Sequence, residues 1–118
     1  MALKKVLIFA SDTNILKSLE SSLKIINITD ITIKKTGNSI IETITSQQYD
    51  LIILDDSIDS EKTAINIAAL IVDNSTAPCI FLSNTYYEDK YSRILSSLTP
   101  VYKPLRENEL ANIIKMIF

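Results

Sequence analysis

An acid, a hydroxyl and an amine each close an apolar run in this chain. Leu51-Ile52-Ile53-Leu54 ends at Asp55, Cys79-Ile80-Phe81-Leu82 at Ser83, and Pro100-Val101-Tyr102 at Lys103, which Pro104 follows. If these runs are neighbouring parallel strands, their carboxyl ends lie side by side, where open α/β sheets place ligands and chemistry. A carboxylate can act as a nucleophile, and an ammonium and a hydroxyl can stabilise charge that develops beside it. Taken singly, Ser83 reads as a turn hydroxyl and Lys103 as a surface lysine. Together they define a candidate site. Lys103 is the expected ion-pair partner of Asp55, because a buried carboxylate without one is costly.

The elements that must position these residues follow from hydropathy. Lys4 to Ala10 leads into Val6-Leu7-Ile8-Phe9-Ala10, a run of the length expected for a strand buried on both faces. Asp12-Thr13-Asn14 offers capping oxygens, and Ile15, Leu16, Leu19 and Leu23 recur at helical spacing, predicting a helix to about Lys24. Ile31-Thr32-Ile33 alternates with polar neighbours like an edge strand, ended by Gly37, the only glycine. Asn38 or Ser39 caps a second expected helix running through Gln48, with Ile40, Ile41 and Ile44 turned inward.

After the third strand, Ser60 is the expected cap of a helix bearing the stripe Ala64, Ile67, Ala68 and Ile71, and Asn74 to Pro78 breaks it. A weaker helix over Tyr86 to Ser96 holds Tyr87, Tyr91, Ile94 and Leu95. The fifth strand is short, and Pro100 removes a ladder donor, which suits an edge. A last helix over about Leu105 to Ile117 carries Leu110, Ile113, Ile114 and Ile117. Strand and helix thus alternate five times, the rhythm of one doubly wound parallel α/β sheet with helices on both faces. Placing the two weak strands at the edges gives the order 2-1-3-4-5, with the switch point beside Asp55.

Composition agrees with a single domain over 1–118. The chain is 47% hydrophobic with 1 Gly and 3 Pro, a packed globular pattern and not a disordered one. A net charge of -2 offers no basic stripe for a nucleic-acid backbone, so direct DNA or RNA binding is not expected. The single cysteine, Cys79, lies inside an apolar run and reads as a buried hydrophobe. No stretch approaches the roughly 20 apolar residues of a membrane helix, and the N-terminus has no signal cleavage pattern, so a cytoplasmic protein without membrane contact is expected. The absence of histidine removes the base that serine or cysteine hydrolases use, and no Cys or His cluster suits zinc.

Tyr49-Asp50-Leu51-Ile52-Ile53-Leu54-Asp55, Pro78-Cys79-Ile80-Phe81-Leu82-Ser83 and Tyr102-Lys103-Pro104-Leu105 resemble strands three, four and five of the receiver domain of bacterial two-component response regulators. The resemblance covers the whole chain and implies a flavodoxin-like, CheY-like fold. It further implies that Asp55 accepts a phosphoryl group from a histidine kinase, that Ser83 hydrogen-bonds that group and that Lys103 pairs with it. Such a domain is a phospho-acceptor signalling or binding module, not an enzyme.

Two positions depart from the pattern. Receivers end strand one with two adjacent acids that hold Mg²⁺, and here an ungapped alignment puts Ala10 and Ser11 there. Mg²⁺ requires hard oxygen ligands in near-octahedral geometry, so a site retaining Asp55 alone is expected to bind it weakly or not at all. Asp12 joins such a site only if strand one is bulged by one residue; its plainer role is a helix N-cap, worth about 1 kcal/mol. Asp56 is expected to point away from Asp55 as a solvated loop acid, and Asp59 and Glu61 to be surface charges. In the switch, Pro100 stands where receivers carry an inward-rotating aromatic, three residues before the lysine. Tyr102 shares the strand parity of Pro100 and could present a ring there, although a partly buried structural role is the plainer one.

The expected function is therefore an atypical receiver in phosphorelay signalling, with weak or phosphate-independent output through protein contacts. The alternative is a conventional Mg²⁺-dependent phospho-acceptor. A more distant alternative is a flavodoxin-like cofactor binder using Ser11 to Asn14 as a phosphate loop, disfavoured by the lack of glycine and the presence of an acid. The resemblance implies a histidine kinase or downstream protein as partner, met by the face of helix four, strand five and helix five. That face includes Tyr86, Tyr87, Tyr91, Tyr102 and Arg106, and receivers often form homodimers through it.

Overall fold

The computed structural model describes residues 4–83, 91–103, 106 and 108–118. Five strands, β1 (Lys5–Phe9), β2 (Asp30–Lys34), β3 (Leu51–Asp55), β4 (Cys79–Ser83) and β5 (Thr99–Tyr102), form one sheet in the order β2-β1-β3-β4-β5. All neighbouring pairs run parallel. Five helices alternate with them: α1 (Thr13–Ile25), α2 (Ile40–Thr45), α3 (Ala64–Asn74), α4 (Ser92–Ser96) and α5 (Glu109–Ile117).

Strand alternation divides the core into two layers. Leu7, Phe9, Ile52, Leu54 and Phe81 pack on one face with Ile40, Ile44, Ile67, Ala68 and Ile71 of α2 and α3. Val6, Ile8, Leu51, Ile53, Ile80, Leu82 and Val101 pack on the other with Leu16, Leu19 and Leu23 of α1 and with Leu110 and Ile114 of α5. The three central strands are apolar on both faces because both are covered. Their register is continuous: Phe9 pairs with Leu54, Leu54 with Phe81, and Phe81 with Pro100 on the edge strand. No helix among the described residues is long and apolar enough to cross a membrane.

Local details bear out the cap expected at Asp12 and correct several other expectations. Asp12 caps α1, its Oδ1 accepting from the backbone N–H groups of Asn14 at 2.8 Å and Ile15 at 3.2 Å. The cap of α3 is Thr63 and not Ser60: Asn66 N donates to Thr63 Oγ1 at 3.4 Å, whereas Ser60 Oγ takes Lys62 N at 3.2 Å inside the preceding turn. Helix α2 stops at Thr45 instead of Gln48, and Ser39 at its start has a left-handed backbone (φ 55°) with no side-chain capping bond. Over so short a helix only Ile40 and Ile44 reach the core, and Ile41 is 42% exposed.

Gly37 serves packing and not turn conformation. Its N–H donates to Asp59 O at 3.0 Å, and a Cβ there would lie 2.6 Å from Ile67 Cδ1 and 2.9 Å from Ser60 Oγ. Of the expected fourth helix, Ser92–Ser96 is helical, and the segment with Tyr86 and Tyr87 lies outside the described residues. Helix α5 starts at Glu109, later than expected, and Pro104 and Leu105 also lie outside the described residues.

Candidate functional site

The chain leaves β3 in a tight turn that determines the site. Ile58 N donates to Asp55 O at 3.2 Å, and Asp56 N continues the ladder by donating to Leu82 O at 2.9 Å. On the other side of β4, Lys103 N donates to Ser83 O at 2.9 Å. These backbone bonds extend the sheet just beyond its strands and bring the side chains of Asp55, Asp56, Ser83 and Lys103 to one edge.

Lys103 is the centre of the cluster. Its Nζ lies 2.8 Å from Asp55 Oδ1 and 2.6 Å from Asp56 Oδ1, so one ammonium bridges two carboxylates. The ion pair expected between Lys103 and Asp55 is therefore present. Ser57 holds the other Asp55 oxygen, donating to Oδ2 through its hydroxyl and, at 3.3 Å, through its N–H. Ser83 Oγ donates to Asp56 Oδ2 at 2.9 Å. All four carboxylate oxygens thus accept from protein donors, and among the described residues no buried side-chain nitrogen or oxygen lacks a partner.

The electrostatics follow from this geometry. Burial lowers the Lys103 pKa, but hydrogen bonds and charge from Asp55 and Asp56 outweigh burial and raise it above the ordinary lysine value. The ammonium stays protonated between its two acids. Beneath the site, the thiol of Cys79 is pushed up to about 12 by burial in the apolar core, which keeps it protonated and unreactive at neutral pH.

The expectation that Asp56 points away as a solvated acid is overturned. Two-residue alternation applies only while the chain is extended, and the turn after Asp55 swings Asp56 onto Lys103 and Ser83. Ser57 was equally outside the expected site. The signal available for both was the triplet Asp55-Asp56-Ser57 at a strand's carboxyl end, where a turn brings successive polar side chains to the same edge.

At the end of β1, Ala10 is fully buried in the apolar layer shared with α1, and Ser11 Oγ donates to Ser57 O at 3.1 Å. Asp12 is engaged as the α1 cap. A divalent cation at this edge requires several hard oxygen donors, and the two carboxylates nearest it are already matched to Lys103, Ser57 and Ser83. Among the described residues no group of three His, Cys, Asp or Glu side chains is arranged to hold a metal ion. The donor set present does not fit Mg²⁺ without displacing these bonds.

On β5, Pro100 and Tyr102 share the exposed side of the edge strand, while Val101 between them is buried. Tyr102 is 47% exposed, more than the partly buried role expected for it. Tyr91 is half-buried against the α2–α3 layer, and Arg106 is exposed. Tyr87 lies outside the described residues.

No family model matches the sequence, and no curated protein matches it. Solved structures do. A two-component response regulator from Clostridium difficile is 25% identical, with a TM-score of 0.79 over 97% of this chain and 94% of its own. A signal receiver domain of a modulated diguanylate cyclase from Desulfovibrio desulfuricans G20 gives a TM-score of 0.80 at 17% identity, over 98% and 94% of the two chains. The beryllofluoride-activated NtrC4 receiver domain, solved as a dimer, gives 0.79 at 20% identity, over 98% and 97%. The chain has the CheY-like receiver fold, with the sheet order expected from its sequence.

Proposed function

We propose that this chain is a receiver-type module of two-component signalling that acts through protein–protein contacts with little or no dependence on phosphorylation. The observation that carries the reading is the Lys103 bridge, because one ammonium already satisfies both Asp55 and Asp56. Ala10 and Ser11 at the end of β1 add no carboxylate to that edge. Asp55 is the residual phospho-acceptor on this reading, with Ser83 and Lys103 as the groups that would stabilise a phosphoryl. Mg²⁺ binds weakly or not at all, and Asp12 contributes only to its helix.

Output passes through the α4, β5 and α5 face, where Pro100, Tyr102 and Arg106 are exposed and offer a rigid proline, a ring and a cation to a partner. The partner is a histidine kinase or a downstream signalling protein, or a second copy of the chain on the same face. The module works in the cytoplasm without membrane or nucleic-acid contact, and it is not an enzyme. With Pro100 at the usual switch position, a phosphate-driven rotation has no lever at that position.

The second reading, a conventional phospho-acceptor, is favoured by the presence of Asp55, Ser83 and Lys103 at one edge. Intact-mass analysis after incubation with acetyl phosphate and Mg²⁺ separates the two, with Asp55→Asn as the control. The expected result is little or no adduct. A prompt gain of about 80 Da, one phosphoryl, that disappears in the variant would establish the conventional reading.

A further inference from the structure

Asp56 is neither the acceptor nor one of the phosphoryl-stabilising groups, yet it binds both of those stabilising groups. Its Oδ1 accepts from Lys103 Nζ at 2.6 Å, and its Oδ2 accepts from Ser83 Oγ at 2.9 Å. The Lys103 contact to Asp56 is the shorter of its two carboxylate contacts, the other being 2.8 Å to Asp55. A tetrahedral oxyanion joined to Asp55 would need the same ammonium and the same hydroxyl. It would also enter beside a carboxylate, and like charges at such separations repel strongly in a partly desolvated site.

We propose that Asp56 is a resident competitor for the oxyanion: its carboxylate engages the anion-stabilising groups of the pocket and thereby restrains acyl-phosphate chemistry at Asp55. Asp56 is a positioning residue, acting through Lys103 and Ser83. The inference rests on the reading of Asp55 as the residual acceptor. It also separates two causes of low reactivity, the makeup of the β1 edge and the presence of an acid immediately after Asp55.

The chemistry balances without a further reactant. With acetyl phosphate as donor, a carboxylate oxygen of Asp55 bonds to phosphorus as the bond from phosphorus to the acetyl oxygen breaks. Acetate leaves with the electron pair, and no proton has to move. Replacing Asp56 by a neutral side chain removes the repulsion and releases two donors toward the new phosphoryl oxygens.

The test compares wild type, Asp56→Asn, Asp56→Ala and Asp56→Glu by intact mass over a time course with acetyl phosphate, each with and without Mg²⁺. The double variant Asp55→Asn/Asp56→Asn is the control. Losing a charged competitor for two hydrogen-bond donors should accelerate labelling on the order of tenfold or more in Asp56→Asn and Asp56→Ala. Asp56→Glu, which retains the charge, should label as slowly as wild type, and the double variant should not label. A merely structural role would not produce this dependence on charge. Asn keeps the shape of Asp, and melting curves by circular dichroism confirm folding of each variant. If neither neutral variant labels faster than wild type, the competitor role is wrong while the phosphate-independent reading stands. If wild type itself labels promptly, that reading fails, and the ratio of variant to wild type still decides the role of Asp56.

Discussion

The two halves of the sheet's carboxyl edge differ in kind. Over β1 the edge is apolar and hydroxylic: Ala10 is buried and Ser11 donates to the Ser57 carbonyl. Over β3, β4 and β5 it is charged, with Lys103 between Asp55 and Asp56 and Ser57 and Ser83 on the remaining carboxylate oxygens. Among the described residues, the Lys103, Asp55 and Asp56 charges lie together in that second half, joined to one another. A phosphoryl pocket is a set of donors aimed at a place where charge will arrive. Here the same donors are held by carboxylates already present, the arrangement on which the proposed phosphate-independent reading rests.

The largest expected effect comes from breaking the charged half. Lys103→Met leaves two carboxylates without their cation, one of them fully buried, and should destabilise the fold by about 3–5 kcal/mol in urea denaturation. An unchanged midpoint would mean that the cluster holds together without its lysine. The same pair of proteins tests the electrostatics. Because folding raises the Lys103 pKa, its contribution is complete below the unfolded value of about 10.4 and is lost as pH rises through the folded value. The stability gap between wild type and Lys103→Met should therefore close in strong alkali, and a gap that persisted there unchanged would assign the wrong sign.

Away from the charged half, packing and capping set smaller effects. Gly37→Ala forces a methyl group against Ile67 and Ser60 and should cost roughly 1–3 kcal/mol, measured by the same denaturation. Asp12→Ala removes the α1 cap on the β1 side and should cost about 1 kcal/mol, leaving the alkaline behaviour of Lys103 intact. A change in that behaviour would tie Asp12 to the charged cluster. The smallest expected effect is at Cys79: the folded protein should resist iodoacetamide at neutral pH and become alkylated only on unfolding, as read by mass.

The strands were legible because their signal is simple. Leu51 to Leu54 and Cys79 to Leu82 are apolar at every position, as burial on both faces demands, and β3 and β4 run one residue further to the polar groups that end them. The weak edge strands gave the order of the sheet. Helix ends were less legible because several residues near each start carry capping oxygens. Ser60 and Thr63 are chemically equivalent candidates, and only the turn that lets Ser60 bind Lys62 N decides between them. In α2, Ile41 looked like a core residue by type, but six residues of helix present only one narrow stripe to the sheet.

Within the site, Asp55, Ser83 and Lys103 were legible as strand-terminal polar groups, whereas Asp56 was not. Its position depends on where extended backbone gives way to a turn, and a boundary shift of one residue reverses the direction of a side chain. The residue that sequence parity sent outward is the one that completes the cluster.

On the proposed reading, Lys103 serves as the cation of this edge in place of a metal ion. A MgCl2 titration of the wild-type melting temperature tests this, since a ligand that binds the folded state and not the unfolded chain stabilises it by RT ln(1 + L/Kd) at free ligand concentration L. No rise that depends on Asp55 is expected, so Asp55→Asn and wild type should respond alike. A rise in wild type that grows with MgCl2 concentration and that Asp55→Asn abolishes would show that a metal ion takes the place assigned to Lys103.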